Sequence, residues 1–111
     1  MNRMGISPAA SALLRLLVAR SRAKRDRILL TSIVSVEWRS LTFNGERHLI
    51  GLRVTGPNSD EIVHRLCDGI EEADFHIPGM IVADIGVKDE VRRSVDGGST
   101  LTIEALTISE D

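Results

Sequence analysis

The sequence predicts an α+β domain, a two-layer α/β sandwich whose four-stranded, mostly antiparallel sheet carries both helices on one face in the order α-β-β-α-β-β. Three observations predict it. Asn44-Gly45 lies between two strand-like stretches, two segments repeat apolar residues at helical spacing, and a second strand-like pair flanks Asp96-Gly97-Gly98. At 111 residues with 42% hydrophobic and 27% charged, the chain is expected to form one domain over 1–111 with a single core. An N-terminal amphipathic helix and basic junction (7–27) precede a ββαββ body (28–109).

Ser7-Pro8 opens the first helix, Ser7 as N-cap and Pro8 at the first helical position. Leu13, Leu14, Leu16, Leu17 and Val18 spread over a wide face that needs an apolar partner. Arg20 to Arg27 then gathers cations, which suits the negative end of the helix dipole.

Val34 to Val54 reads as a hairpin. Asn then Gly supply the positive φ values of a two-residue type I′ turn, which sets Phe43 against Glu46 and Leu41 against His48. The apolar parity of the first strand changes between Trp38 and Leu41, the mark of one extra residue, so a bulge is expected at Arg39-Ser40 opposite Leu49. Trp38, Val36 and Val34 would then face Ile50, Leu52 and Val54 in the core, leaving Ser35, Glu37, Gly51 and Arg53 on the other side.

Gly56 to Glu61 is a turn into the second helix, with Asn58 as N-cap and Glu61 completing an approximate capping box. Ile62, Val63, Leu66, Cys67 and Ile70 form its buried stripe, and its end falls between Asp68 and Ala73. Pro78-Gly79 fits a type II turn. Met80 to Val87 and Ser99 to Ile108 are the last strands. A three-residue loop at Asp96-Gly97-Gly98 would pair Val91 with Ile103 and Val87 with Thr107, but it would also oppose Glu90 to Glu104. Lys88-Asp89-Glu90 is therefore a candidate bulge or loop.

Charge and composition narrow the function classes. Through Arg27 there are seven basic residues and one acid; from Ile28 onward there are seven basic and fifteen acidic. The basic segment Arg20 to Arg27 is the only hint of nucleic-acid or anionic-membrane binding, and one Trp, two Phe and no Tyr offer few stacking surfaces for single strands. A lone cysteine excludes an intrachain disulfide and suits a reducing cytoplasm. No run approaches a membrane span.

Candidate chemistry is sparse. His48 near Glu46, and His76 near Glu71, Glu72 and Asp74, offer imidazole beside carboxylate, the raw material of general acid–base catalysis. Asp84 interrupts an apolar strand and needs either solvent or a cationic partner such as Arg53 or Arg39. His64, Cys67 and Asp68 share helical spacing, but Cys67 falls on the apolar stripe, so no metal site is assigned. No phosphate loop, paired-cysteine pattern or nucleophile elbow occurs, and no cofactor is implied.

Two readings follow. The first is a cytoplasmic oligomerising or partner-binding module, a homodimer or higher homo-oligomer in which Leu49, Thr42, Val82, Thr100, Thr102, Leu106 and Ile108 lie on an uncovered sheet face. The second is a small enzyme using His48 or His76 with Glu46, Glu72 or Asp84.

Overall fold

A computed structural model of the chain describes residues 6–110. The elements are α1 (Pro8–Ser21), β1 (Ile28–Arg39), β2 (Asn44–Val54), α2 (Ser59–Cys67), β3 (Met80–Arg93) and β4 (Ser99–Ser109), with short 3-10 turns at Arg25–Arg27 and Ile70–Glu72. The strands make one sheet in the order β1-β2-β4-β3, and each neighbouring pair is antiparallel. The α+β order expected from the sequence is the order found.

α1 begins as its sequence dictates. Ser7 is extended and its Oγ accepts from the Ala10 amide at 3.1 Å, with Pro8 starting the helix. Leu13 and Leu17 from α1 and Ile62 and Leu66 from α2 share one core with Ile50, Leu52, Val54, Leu101 and Ile103 of the two central strands. β4 alternates without a break: Ser99, Leu101, Ile103, Ala105 and Thr107 are buried beneath the helices, so Leu106 and Ile108 fall on the other face.

The first hairpin differs from the expected register. The loop is Ser40 to Phe43, closed by a 2.9 Å bond from the Ser40 amide to the Phe43 carbonyl and by the Ser40 hydroxyl accepting from the Phe43 amide at 3.0 Å. Asn44 and Gly45 are the first residues of β2, and neither has a positive φ. Gly45 is needed for another reason. A Cβ there would stand 2.0 Å from the Thr107 carbonyl oxygen of β4, so the residue serves a close approach between strands.

With a four-residue loop, Trp38 faces Gly45, Val36 faces Arg47, Val34 faces Leu49 and Ser35 faces His48. Trp38, Val36 and Val34 therefore point away from the helices. The extra residue is real but sits at Thr31, between the pairs Leu30–Leu52 and Ser32–Gly51, not at Arg39-Ser40. Gly51 makes room for it, since a Cβ there would meet the Thr31 and Ser32 hydroxyls at 2.6 Å.

The second hairpin is corrected similarly. Arg93 pairs with Ser99 across a loop of 94–98, so Val87 faces Ile103 and Glu90 is not opposite Glu104. Register slips once between Val82 and Asp84 and again between Lys88 and Arg92, where Asp89 has φ 62°. The expected irregularity at Lys88-Asp89-Glu90 is thus present. The first slip turns Val82 inward against the core, removing it from the uncovered face, and Thr42 belongs to the loop.

Asn58 does not cap α2 with its side chain. It is left-handed, φ 66°, and offers its carbonyl to the Glu61 and Ile62 amides, whereas a side-chain cap requires an extended residue. Pro78-Gly79 forms the expected turn, with Gly79 at φ 79° and the Met80 amide 3.0 Å from the Ile77 carbonyl.

Arginines join the helices end to end. Arg20 Nε donates to the Leu66 carbonyl at 2.8 Å and its second nitrogen donates to the Asp68 carbonyl, while Arg65 Nε of α2 donates to the Ser21 carbonyl at 2.8 Å. Each helix supplies a cation to the unpaired carbonyls at the other's C-terminus.

Candidate functional site

Polar side chains meet beneath the start of α1. β1 supplies Ser35, β2 supplies Glu46 and His48, and β4 supplies Thr107, because their register places all four on the helix-covered face. His48 is fully buried, with Nδ1 2.7 Å from Ser35 Oγ and Nε2 2.9 Å from Thr107 Oγ1. A neutral ring offers one donor and one acceptor, and hydroxyls satisfy either tautomer. Glu46 Oε1 lies 3.9 Å from Nε2 and accepts from the Ser7 hydroxyl at 2.9 Å. Ser7 therefore caps α1 and ties it to β2.

Burial lowers the His48 pKa below its ordinary value, while the neighbouring Glu46 carboxylate pulls the other way. A hydroxyl, an imidazole and a carboxylate in sequence resemble the parts of a nucleophilic site. The ring has no exposed surface, so a substrate cannot reach it in this conformation. The cluster is a cross-brace between three strands and a helix.

The other sequence candidates lie apart from it. His76 is exposed in the loop before β3, and Glu72 is exposed on a 3-10 turn. Asp84 is exposed and pairs with Leu106, a residue of the uncovered face opposite to His48, so it contacts neither histidine nor a core cation. Arg53, one suggested partner, instead binds Ser94 at 3.0 Å and Asp96 at 2.5 Å, and Arg39 binds Glu37 at 2.9 Å. The Gly98 amide and Arg53 together hold the Asp96 carboxyl below the usual range. Burial pushes the Cys67 thiol up, keeping it protonated, and no metal-binding cluster of three ligand side chains occurs among the described residues.

Sequence reasoning missed Ser35 and Thr107 as partners of His48, and Ser7 as the partner of Glu46. The detectable signal was a histidine inside an apolar run, which needs buried acceptors or donors once the run is placed in the core.

The second candidate region is the uncovered sheet face and its β1 border. Leu29, Val34 and Val36 of β1 are 47%, 51% and 58% exposed, and Ile81 of β3 is 46% exposed. Half-buried Trp38, Leu49, Leu106 and Ile108 complete the patch, with Arg47 between Val36 and Leu106. Around the edge, a cleft of about 670 Å³ between α1 and β1 has apolar walls and an arginine rim that includes Arg22 and Arg25.

No helix among the described residues is long and apolar enough to cross a membrane. No protein-family model, curated protein or solved structure matches the chain.

Proposed function

We propose that the chain is a cytoplasmic self-associating module whose working surface is the uncovered, β1-side region of its sheet, with no catalytic role. The observation that carries this reading is the group of apolar side chains on the uncovered face, Val34, Val36 and Trp38 beside Leu49, and Leu106 and Ile108 beside Ile81, with Arg47, Asp84 and Glu104 set among them. Closed two-fold association is the commonest way to cover such a surface. The lone cysteine suits the reducing compartment assumed here.

Two observations weigh against the alternatives. Enzymatic use of His48 lacks access, and His76 has no convergent partner among the described residues. Phosphate binding by the basic head loses Arg20 and Arg27, whose guanidinium groups are committed to backbone carbonyls; Arg27 holds Thr55 at 2.7 Å and also Pro57. Arg3, the first cation of that head, lies outside the described residues.

Sedimentation equilibrium and light scattering at micromolar concentration test the proposal. A dimeric or larger mass is expected, and a monomer throughout that range overturns it.

A further inference from the structure

We propose that two copies of this chain join antiparallel along β1, making one eight-stranded sheet with its two-fold axis at Val34. The proposal rests on the self-association reading and places the contact at the β1 border of that surface, leaving Leu49, Leu106, Ile108 and Ile81 on the outer face of the joined sheet. β1 is an edge strand, and from Ile28 through Val36 it has no charged residue and no proline. An uncharged edge of this length is a template for another strand unless something covers it.

Side-chain parity restricts the register to alignments of like faces, and among these the one centred on Val34 sets exposed Leu29 against Trp38. Ile28, Leu30, Ile33, Ser35 and Glu37 pair with helix-facing residues of β2, whereas Leu29, Ser32, Val34, Val36 and Trp38 lie on the other face. Setting Val34 against Val34 of the second copy aligns like faces: Ile33 meets Ser35, and Ser32 meets Val36. Beyond the extra residue at Thr31 the alignment persists, with Leu30 opposite Glu37 and Leu29 opposite Trp38. A shift of one residue would place core-facing side chains against outward ones. Exposed Leu29 then gains an indole neighbour, and Val34 is covered by its own symmetry mate.

Charge complementarity supports the same occupant. Ile28 and Leu30 belong to the cleft between α1 and β1, whose rim includes Arg22 and Arg25, neither of them ion-paired among the described residues. Opposite Leu30, Glu37 of the second copy brings a carboxylate to that rim. Among the described residues, the only ion pair of Glu37 is the exposed one with Arg39.

The test combines mass with cross-linking. In a Cys67→Ser background, Val34→Cys should form a disulfide-linked dimer on mild oxidation, because directly opposed residues in an antiparallel pair lie about 4.5–5.5 Å apart at Cα, inside the span of a disulfide. Leu41→Cys is the control, since the two hairpin tips would lie about 45 Å apart and should not cross-link. Val34→Lys, which opposes two cations at the axis, should be monomeric with an unchanged circular dichroism spectrum, and Glu37→Lys should weaken association.

An unmodified chain that is dimeric by mass while Val34→Cys fails to cross-link and Val34→Lys remains dimeric overturns the edge geometry and leaves self-association standing. Cross-linking through Ile81→Cys in place of Val34→Cys does the same, pointing to the open face. A monomeric unmodified chain overturns both.

Discussion

β1 and β3 both end the sheet, but only β3 is built against further pairing. β3 carries Asp84, Lys88, Asp89, Glu90, Arg92 and Arg93, and its register slips twice against β4. β1 has one slip, and its only charges, Glu37 and Arg39, come after Val36. Charges and bulges are the means by which an edge strand is kept from recruiting another. The difference teaches that exposure alone does not distinguish the edges, because each strand has just one buried residue, Ile28 or Ile85. What distinguishes them is the chemistry placed on the exposed positions.

The largest effect should come from crowding the one irregularity of β1. In Gly51→Val the Cβ would stand 2.6 Å from the Thr31 and Ser32 hydroxyls, so the bulged pair must move away from β2. The expected cost is about 3 kcal/mol in urea unfolding, on the scale of severe overpacking. A loss below about 1 kcal/mol would show that the bulge yields freely, and the paired-edge geometry drawn across it would lose its basis.

Next in size is the brace behind that edge. His48→Ala leaves a cavity and removes the partner of Ser35 and Thr107, so a loss of about 2–4 kcal/mol is expected. His76→Ala, at an exposed loop position, should change stability by less than about 0.5 kcal/mol. Equal effects from the two histidines would contradict the structural role given to His48.

The same ring fixes a pH dependence. Its folded pKa is lowered, so below the ordinary value of about 6.5 the unfolded chain binds a proton that the folded chain refuses. Stability should be unaffected by this group above that value and should fall as the pH drops from there toward the lowered pKa. Glu46 opposes the shift and moderates it. Thermal unfolding from pH 8 to 5 reads the slope, and His48→Ala should flatten it.

Much of the architecture was legible because periodicity survives errors of register. The stripes of both helices and the alternation of β4 depend only on local spacing, and Ser7-Pro8 caps by a mechanism that needs no tertiary partner. The hairpin registers were not legible for a physical reason: a glycine inside a strand can serve a turn or a close approach. Asn44-Gly45 carries the strongest turn signal in the chain, yet the Thr107 carbonyl of β4 is what demands Gly45. Gly51 was the better clue, since an isolated glycine within a strand marks a bulge opposite it, and Thr31 and Ser32 lie there. The polar cluster was half legible. His48 and Glu46 are two residues apart and share a face in any strand, but Ser35 and Thr107 join them only once the correct pairing is known.

The smallest expected effect concerns the protected edge. Asp89 occupies the second irregularity of β3 at φ 62°, a conformation that costs a residue with a Cβ more than it costs glycine, and its side chain is exposed. Asp89→Gly removes that strain but gives the unfolded chain more freedom, and the two effects largely offset. A net change within about 0.5 kcal/mol is expected, with the register slip kept. Lys88, Glu90, Arg92 and Arg93 remain on the strand, so the edge should stay unpaired and the mass of the assembly unchanged. A higher-order assembly would mean that one charge at the bulge carries most of the protection. The contrast with β1 would then rest on Asp89 alone, not on the charged composition of the whole strand.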